Sequence, residues 1–410
     1  MIPEKQIPTT AFVVERPGAP FTLQNIILDE VRANEVLIEM KYTGLCHTVC
    51  IHNLQRNTHD VTLMEDLQDI VVQQGAIPVG DYPAVLGHEG AGIVRRVGSG
   101  VENTSLREGD LVFLSFSSCH RDICNPCREG RNGFCRDMTV INFAGARGVS
   151  AADSPISFPG EKGLPIRGQF FGQSSLSKLA IVSEHSVIKC SPESGITVAD
   201  MAALAPLGCG YLTGAGTVFN VLKPQPKSTF VVLGMGAVGM AAMLAAQSRG
   251  VETIIAVDML EAKLELAKSL GASHVLSTKV ITDLTEGLLK IFPDGVDYVL
   301  DTTGVDHLLE SAVKALGHEG TLAIVGVSRP GSILKIDPLA LMMGCKRIVG
   351  VIEGGANPVS LLPMLIDLYK QGKFPVDKLA KVYAPDSFEQ AMEDLRSGRV
   401  IKPVIRWENV

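Results

Sequence analysis

The sequence predicts an α/β fold, in which a β-rich region is followed by a doubly wound parallel sheet. From about residue 1 to 205, short β-like runs such as EVLIEMKYTG and DLVFLSF lie between turns rich in Gly and Pro. From about residue 229, apolar strands alternate with helices, which is typical of a parallel sheet with helices on both faces. After about residue 352 the pattern returns to mixed helix and strand. A chain of 410 residues is long enough for roughly two domains with cores of their own.

The composition is that of a globular protein and argues against several function classes. Of the residues, 46% are hydrophobic and 20% are charged, and the net charge of −7 argues against a nucleic acid partner, because phosphate binding needs concentrated Lys and Arg. No run approaches about 18 apolar residues, so we expect no membrane-spanning helix. The N-terminal MIPEKQIPTTAF does not resemble a signal peptide, so we expect a cytoplasmic protein. Its nine Cys should then stay reduced, as metal ligands or core residues.

The first strand of the predicted parallel sheet leads into a dinucleotide-binding pattern. The strand Thr229–Leu233 is followed by GMGAVG and a helix of small residues. In this GxGxxG pattern Gly234 permits a tight turn, Gly236 lets the backbone approach a pyrophosphate, and Gly239 lets the helix pack closely on the strand. The helix N-terminus offers free N–H groups to the phosphates. The strand-turn-helix context favours a bound dinucleotide over a glycine-rich turn without a ligand.

The second strand indicates which dinucleotide is bound. TIIAVD ends at Asp258, 19 residues after Gly239 (258 − 239), where a carboxylate accepts hydrogen bonds from the adenosine ribose. The same charge repels a 2′-phosphate, and the Met and Leu that follow supply no cation to attract one. NAD is therefore predicted in preference to NADP. Two further strands continue the sheet and are predicted to end at Asp301 and Val327.

Four Cys lie close together in a single loop. They form the pattern C-x4-C-x2-C-x7-C and are Cys119, Cys124, Cys127 and Cys135. Four thiolates at this spacing suit a closed, tetrahedral, structural zinc site. The alternative is a chance cluster of reduced surface thiols, which we disfavour because exposed thiols without a metal oxidise readily.

A second set of candidate ligands is dispersed along the chain. Cys46 lies in GLCHT, His88 in LGHEG and Cys209 in LGCG. A single His or Cys is more often a packed or surface residue than a ligand, but together these three supply the Cys2His set of a catalytic zinc, which keeps a fourth position open for water or substrate. Zinc at such a site acts as a Lewis acid and lowers the pKa of a bound hydroxyl. Glu89 directly follows one candidate ligand and is expected to act on the catalytic site from behind the ligands.

These motifs together resemble those of the zinc-dependent alcohol dehydrogenases of the medium-chain dehydrogenase/reductase superfamily. GLCHT, GHEGAGIV, the four-Cys loop, LGCGYLTGAG, LGMGAVG with AVD, and IKPVI occur in that family's order from about residue 8 to the C-terminus. CHT, SFSSC and GVIEGG are similar to segments of the aryl- and benzyl-alcohol dehydrogenases. The resemblance implies a GroES-like catalytic domain interrupted by a Rossmann NAD-binding domain. The implied boundaries are 1–210 and 353–410 for the two parts of the catalytic domain and 211–352 for the Rossmann domain.

The resemblance also implies individual roles. Cys46, His88 and Cys209 would bind the catalytic zinc and the four clustered Cys the structural zinc. Thr48 would hydrogen-bond the substrate hydroxyl and pass its proton to the cofactor ribose. The implied cofactor-binding residues, besides the three glycines, are His47 and Lys402 near the pyrophosphate, Asp258 and Lys263 at the adenosine ribose, Thr213 and Val238 at the nicotinamide, and Val325.

Two short segments depart from the family's pattern. Four residues separate the first two Cys of the loop, where the family usually has two, so Cys119 needs a bulged loop to reach the metal. The usual relay His after the catalytic Cys is missing, since Ile51 stands there by count and His52 is one place off. Some aryl-alcohol enzymes also lack this His, so its absence does not by itself argue against activity.

The largest departure is an excess of residues between two zinc ligands. Cys46 and His88 are 42 positions apart (88 − 46), about twice the family's separation. Deleting residues 49–68 joins Thr48 to Asp69 and restores the pattern. This 20-residue segment (60 nucleotides, 20 × 3) begins and ends in residues whose codons can form an intron donor and acceptor, so it is either a retained intron or a genuine surface loop. As an insertion it would displace Asp69, the expected partner of His88.

The sequence therefore predicts an oxidoreductase that uses zinc to transfer a hydride between NAD(H) and a primary aryl or allylic alcohol or aldehyde, as in a biosynthetic pathway. Two alternatives stay open: a formaldehyde or thiol-adduct dehydrogenase of the same superfamily, and an NAD-binding protein that the 49–68 insertion has impaired. A zinc-free quinone reductase is disfavoured by the seven placed ligands. The expected partners are a small alcohol or aldehyde and further copies of the chain in a homo-oligomer, without nucleic acid or membrane.

Overall fold

The structure, a computed structural model, describes residues 6–46, 82–143, 147, 153–160, 164–329 and 331–407. The predicted site residues His47 and Thr48 lie outside the described residues, as do the 49–68 segment and Asp69. Three sheets organise the described part of the chain, two of them in the β-rich region and one a parallel sheet of six strands. The predicted α/β fold class is confirmed.

The β-rich region contributes ten described strands before residue 190. They are β1 (Ile7–Val14), β2 (Phe21–Leu28), β3 (Glu35–Gly44), β4 (Ala84–Val85), β5 (Gly90–Val97), β6 (Leu111–Leu114), β7 (Ile156–Ser157), β8 (Pro165–Ile166), β9 (Leu179–Ser183) and β10 (Val187–Lys189). The first sheet has the order β4-β1-β2-β7-β8, and β3 lies inside the second sheet, paired with β5 and β9. Along β3, buried Ile38, Met40 and Tyr42 alternate with partly exposed Glu39 and Lys41, which is the period of two that a strand requires.

Four short α-helices precede the parallel sheet, two of them between β6 and β7 and two after β10. They are α1 (Asn125–Arg128), α2 (Met138–Phe143), α3 (Met201–Leu204) and α4 (Gly210–Gly216), and a π-helical turn over Thr217–Leu222 continues α4. Among the helices that the structure describes, none is by itself long and apolar enough to cross a membrane, although the bent pair Met201–Gly208 and Gly210–Leu222 meets the requirement by length and composition.

The parallel sheet has the topology that the sequence predicts. Its strands are β11 (Thr229–Leu233), β12 (Thr253–Asp258), β13 (His274–Ser277), β14 (Val296–Asp301), β15 (Leu316–Ile324) and β16 (Arg347–Gly350). Its helices are α5 (Ala237–Ser248), α6 (Glu261–Ser269), α7 (Leu284–Ile291), α8 (Asp306–Ala315) and α9 (Pro338–Met343). Every neighbouring pair is parallel, in the order β13-β12-β11-β14-β15-β16. This is the strand order of a Rossmann fold, whose dinucleotide crosses the carboxyl ends of the strands.

One strand of this sheet ends earlier than the sequence pattern indicates. TLAIVGV predicts a strand to Val327, whereas β15 ends at Ile324. The backbone N–H groups of Val325 and Gly326 both turn back to the carbonyl oxygen of Asp301, at 2.9 and 3.0 Å. The apolar run therefore continues past the strand into a turn at the carboxyl edge of the sheet.

After the parallel sheet, the chain returns to the β-rich region. Two helices, α10 (Pro358–Lys370) and α11 (Phe388–Arg396), accompany the strands β17 (Ala380–Tyr383) and β18 (Lys402–Arg406). β18 pairs antiparallel with β3, with Val404 opposite Gly44. The indole N–H of buried Trp407 then donates to the Thr43 hydroxyl at 2.9 Å. This topology matches a catalytic domain interrupted by a Rossmann domain, while the boundaries 1–210, 211–352 and 353–410 stay predictions.

A close contact between α4 and α5 joins the two regions. A Cβ on Gly214 of α4 would lie 2.0 Å from the carbonyl oxygen of Val238 in α5, so only glycine fits there. The contact places the start of α4 beside the first turn of α5, since a Cβ on Gly210 would lie 3.7 Å from the Cβ of Ala237. Cys209 is the residue that precedes α4, and the predicted dinucleotide turn precedes α5.

Candidate metal centres and cofactor site

Cys46, His88 and Cys209 converge, although they are far apart in the sequence. Their ligand atoms all lie within 4.8 Å of one another, and all three residues are buried. β3 and β5 are antiparallel neighbours, with Thr43 opposite Gly90, so the end of β3 and the start of β5 lie side by side. These strands therefore present Cys46 and His88 at the same edge, and the start of α4 adds Cys209.

The imidazole of His88 fits a metal ligand. His88 is 1% exposed, and neither of its ring nitrogens has a hydrogen-bond partner in the described part of the chain. Its ring stacks on Phe171 with centroids 4.5 Å apart and meets the edge of Phe170 at 5.5 Å. A buried polar group without a partner costs stability. A zinc ion on one nitrogen offsets that cost, and stacking on Phe171 holds the ring in place.

The Cys46 thiol beside His88 is also suited to a metal. A hydrogen bond from Cys209 lowers the pKa of Cys46 well below its ordinary value against the effect of burial, with His88 and Lys402 acting in the same direction. Zinc binds the thiolate form of cysteine. Two thiolates and one imidazole fit a zinc site that keeps its fourth position open.

A buried ion pair lies behind this cluster. The Lys402 ammonium is 3.0 Å from both carboxylate oxygens of Glu89 and donates to the carbonyl oxygen of Leu45 at 3.2 Å. Burial alone would lower the pKa of Lys402, but the Glu89 carboxylate raises it. Glu89 also accepts from the backbone N–H of Gly210 at 3.1 Å, which ties it to the start of α4. Lys402 therefore lies beside the catalytic cluster, and its predicted pyrophosphate contact stays a prediction.

A second buried carboxylate, which the sequence analysis did not single out, lies at the catalytic cluster. Oε1 of Glu353 is 3.9 Å from Sγ of Cys209, and Oε2 accepts from the Thr213 hydroxyl at 3.0 Å. Burial raises the pKa of Glu353 to about 7. The only sequence signal was GVIEGG, where a charged residue and two glycines follow an apolar run.

The four-Cys loop forms a second candidate metal centre. The ligand atoms of its cysteines all lie within 4.8 Å of one another, so Cys119 does reach the cluster. The bulge that its spacing requires is present: His120 has a left-handed φ of +47°, and a turn closes with the N–H of Cys124 donating to the carbonyl oxygen of Arg121 at 2.9 Å.

Backbone N–H groups donate hydrogen bonds to sulfur atoms of the four-Cys loop. The N–H of Cys119 donates to Sγ of Cys135 at 3.4 Å. Backbone N–H groups of Arg136 and Cys127 lower the pKa of Cys124 to about 6. Four thiol groups with such donors have the chemistry of a closed structural zinc site.

The glycine-rich turn between β11 and α5 supports the predicted dinucleotide site. Gly234 has a left-handed φ of +88°. A Cβ on Gly239 would lie 1.9 Å from the carbonyl oxygen of Gly234, so the helix packs directly on the turn. A Cβ on Gly236 would meet nothing within 4 Å. The backbone at Gly236 therefore borders open space, as the approach of a pyrophosphate requires.

Asp258 ends β12 beside this turn. Its carboxylate accepts from the backbone N–H groups of Met235 at 2.7 Å and Leu260 at 2.9 Å. Each carboxylate oxygen has a second lone pair, so both can still accept from ribose hydroxyls. The side chain of Lys263 packs against Gly398, in the turn before β18. Both residues border the same edge of the sheet, and their roles toward the ribose stay predictions.

The residues predicted at the nicotinamide lie on different elements. Thr213 is in α4 and donates to Glu353, Val238 is in the first turn of α5, and Val325 follows β15. α4 and α5 are in close contact, and Val325 lies at the carboxyl edge of the parallel sheet. Their contacts with a cofactor stay predictions.

Comparison with known proteins identifies two family models in the chain. The alcohol dehydrogenase GroES-like domain matches residues 32–192, and the zinc-binding dehydrogenase model matches residues 237–370. Geraniol dehydrogenase of Castellaniella defragrans is 32% identical over 97% of this chain and 98% of its own length. A probable S-(hydroxymethyl)glutathione dehydrogenase 1 of Schizosaccharomyces pombe is 30% identical over 98% of this chain and 97% of its own.

Solved structures share the whole architecture. Benzyl alcohol dehydrogenase from Acinetobacter calcoaceticus superposes with a TM-score of 0.85 and 38% identity, covering 98% of this chain and 99% of its own. An alcohol dehydrogenase zinc-binding domain protein from Burkholderia ambifaria has a TM-score of 0.86 and 36% identity, with the same coverage.

Proposed function

Since the chain belongs to the zinc-dependent alcohol dehydrogenases of the medium-chain dehydrogenase/reductase superfamily, we propose that it transfers a hydride between NAD(H) and a primary aryl or allylic alcohol or aldehyde. The observation that carries this proposal is the buried cluster of Cys46, His88 and Cys209 beside the first turn of α5. A metal site and a dinucleotide turn are thus close enough to act on one substrate.

Aromatic side chains next to the catalytic cluster support the aryl or allylic substrate. Phe170 and Phe171 border His88, and Phe143 meets both rings edge to face, with centroids 5.8 and 5.1 Å away. Aromatic and planar unsaturated groups bind well against such edges and faces. Two similar proteins are named for such alcohols: geraniol is an allylic alcohol, and benzyl alcohol is an aryl alcohol.

The chemistry divides between the metal, the cofactor and the chain. When bound by Cys46, His88 and Cys209, zinc supplies a Lewis acid that lowers the pKa of a substrate hydroxyl. The Phe170 and Phe171 rings pack against the imidazole of His88, and the Glu89–Lys402 pair adds no net charge behind the site. We assign to Thr48, which lies outside the described residues, the transfer of the hydroxyl proton to the cofactor ribose. NAD, when bound at the glycine-rich turn between β11 and α5, would supply the hydride acceptor.

A second candidate substrate is a hydroxymethyl thiol adduct. The observation that favours it is the similarity to the probable S-(hydroxymethyl)glutathione dehydrogenase over nearly the whole chain. Such a substrate carries charged groups far from the reacting carbon, whereas an aryl alcohol offers the site an apolar ring.

A panel of substrates tests the proposal. Initial rates are measured with benzyl alcohol, geraniol, ethanol and S-(hydroxymethyl)glutathione, each with NAD and with NADP. We expect kcat/KM with NAD to be highest for benzyl alcohol or geraniol and at least roughly tenfold lower for ethanol, since burial of an apolar ring contributes more than 1.4 kcal/mol. A clear preference for the glutathione adduct would replace the aryl proposal with the second candidate.

We also propose that the chain forms a homo-oligomer through the edge of the parallel sheet. β16 is the edge strand of that sheet, and α9 exposes Leu339, Met342 and Met343, each more than 60% accessible. Contiguous exposed apolar side chains beside a sheet edge favour association with a second copy. Light scattering of Met342→Lys with Met343→Lys should show dissociation to monomers, and a wild-type monomer would contradict the proposal.

A further inference from the structure

Glu353 is a buried carboxylate without a cationic partner. In the described part of the chain, no Lys or Arg forms an ion pair with it, and its carboxylate contacts the Cys209 thiol and the Thr213 hydroxyl. Glu89 differs, because it is paired with Lys402. When zinc is bound, the negative charges of the two thiolates balance the positive charge of the metal, and the ammonium of Lys402 balances the carboxylate of Glu89. The negative charge of Glu353 is then left for a ligand to compensate.

The backbone holds Glu353 in this position by close packing on two sides. Glu353 has a left-handed φ of +48°, a conformation that a non-glycine residue adopts only when its surroundings impose it. On one side, a Cβ on Gly354 would lie 2.7 Å from Cα of Gly216 and 2.9 Å from the carbonyl oxygen of Thr213. On the other side, the N–H of Gly133, in the four-Cys loop, donates to the carbonyl oxygen of Ala356 at 2.9 Å.

The topology puts this carboxylate on the nicotinamide side of the cofactor. In a doubly wound sheet, the dinucleotide crosses the carboxyl edge, with adenosine over one half and nicotinamide over the other. Asp258 marks the adenosine half at the end of β12. Glu353 follows β16, the outermost strand of the opposite half, and contacts the zinc ligand Cys209. A nicotinamide that exchanges a hydride with a substrate at this metal must also lie beside that ligand.

We propose that Glu353 favours binding of the oxidised cofactor, NAD+, over NADH. The nicotinamide ring is cationic in NAD+ and neutral in NADH, and the rest of the two molecules is the same. An otherwise unbalanced carboxylate in a buried site attracts the cationic ring. This inference rests on the proposed function, because it requires NAD(H) to bind at the glycine-rich turn with its nicotinamide ring at the catalytic zinc.

The test measures binding rather than turnover. Dissociation constants for NAD+, NADH and ADP-ribose are determined at one mildly alkaline pH for the wild type and for Glu353→Gln, which keeps an acceptor for Thr213 and removes the charge. In Glu353→Gln we expect the dissociation constant for NAD+, divided by that for NADH, to rise roughly tenfold over the wild-type ratio. This is a change of about 1.4 kcal/mol in relative binding free energy. Binding of ADP-ribose, which lacks the nicotinamide, should not change.

Three controls make the outcome specific. Glu389→Gln removes the same charge from the exposed face of α11 and should leave the ratio unchanged. Glu353→Asp keeps the charge and should stay nearer the wild-type ratio than Glu353→Gln. The zinc content of each Glu353 variant should equal that of the wild type, so that a change in the ratio does not reflect loss of the metal. If Glu353→Gln does not fold, Glu353→Met removes the charge in its place.

An unchanged ratio in a folded, zinc-loaded Glu353→Gln enzyme overturns the inference while leaving the proposed function intact. An equal change in Glu389→Gln also overturns it, because the effect would then be one of overall charge. A wild type that binds neither NAD+ nor ADP-ribose refutes the proposed NAD dependence, and the inference with it.

Discussion

His88 is the residue that most directly marks the catalytic cluster as a metal site. It is buried with both ring nitrogens unpartnered in the described structure, and its ring is fixed by stacking on Phe171. The LGHEG segment alone did not distinguish a ligand from a packed histidine. Convergence with Cys46 and Cys209 makes that distinction, because the three ligands of a Cys2His zinc site meet within 4.8 Å.

Asp258 sets the choice between NAD and NADP in our account. Asp258→Ser removes the charge that repels a 2′-phosphate and weakens the hydrogen bonds from Met235 and Leu260. We expect kcat/KM with NAD to fall roughly 10- to 100-fold, the scale of hydrogen bonds to a charged group, while the value with NADP rises. Steady-state kinetics with both cofactors measures this, and a wild-type preference for NADP would refute the assignment.

The sequence predicted the metal-binding residues but not the carboxylate among them. Cys46, His88 and Cys209 have side chains whose chemistry limits their roles, so their residue types carry information without a fold. Glu353 was missed because a glutamate between an apolar run and two glycines usually lies in an exposed turn. Its burial follows from packing between α4 and the four-Cys loop, which are distant from it in the sequence.

At the scale of elements, the four-Cys loop accommodates the two extra residues between Cys119 and Cys124 without moving Cys119 away from the cluster. The spacing predicted a bulge before Cys124, and the structure forms it with a left-handed residue at His120 and a turn from Arg121. The end of β15 was predicted less well. After Ile324, Val325 is half-buried and Val327 is exposed, and an apolar run in the sequence does not distinguish such a turn from a strand.

A polar cluster around Asp394 joins the elements of the C-terminal region. Its carboxylate accepts from Lys381 and Tyr383 of β17, from Gln390 of α11 and from Arg399 in the turn before β18. The Tyr383 hydroxyl, with Arg399, holds the pKa of Asp394 well below its ordinary value. Because β18 carries Lys402, this cluster also helps to position the ion pair behind the catalytic site.

The sign of this pKa shift gives a pH-dependent prediction for Asp394→Asn. A carboxyl group with a lowered folded-state pKa stabilises the protein above its unfolded pKa of about 3.9, and the stabilisation is lost as pH falls through the folded value. The melting temperature of Asp394→Asn should therefore be a few degrees lower than that of the wild type near neutral pH. The difference between the two melting temperatures should shrink below about pH 4. Thermal melts across pH measure it, and a difference that grows on acidification would contradict the role.

At the scale of the whole molecule, the segment 49–68 is the feature that the family pattern does not explain. It lies outside the described residues, and it follows directly on the part of the chain that carries Cys46 and Thr48. The described ligands converge despite it. The retained intron and the genuine surface loop both stay hypotheses.

Deletion of residues 49–68, joining Thr48 to Asp69, tests whether the segment belongs to the working enzyme. We expect the shorter chain to be at least as stable and more active, because the residues after a metal ligand would regain their family arrangement, and small displacements there cost roughly 100-fold in rate. Melting temperature and kcat/KM are compared with the full chain. Loss of activity on deletion would show the segment to be functional, and a mature transcript that encodes it in an active enzyme would refute the intron hypothesis.

The whole-molecule topology was the most predictable feature of this protein. Alternating strands and helices after residue 229 predicted the parallel sheet, and the order of motifs predicted that the chain returns to the β-rich region, as β18 does beside β3. The pairing register was not predictable, because the strands that pair lie more than 300 residues apart and each is apolar enough to pair in several ways.

The central claim is that this chain is a dehydrogenase with two zinc ions, one of them held by Cys46, His88 and Cys209. The most direct measurement is zinc content and NAD-dependent alcohol oxidation in the same preparations of wild type, Cys209→Ala and Cys127→Ser. We predict about two zinc ions and turnover for the wild type, and about one zinc and no detectable turnover in a folded Cys209→Ala. Cys127→Ser should instead lose the structural zinc and melt at a lower temperature. A wild type that binds NAD with about one zinc and no turnover, or a Cys209→Ala variant with near-normal zinc and activity, would contradict the claim.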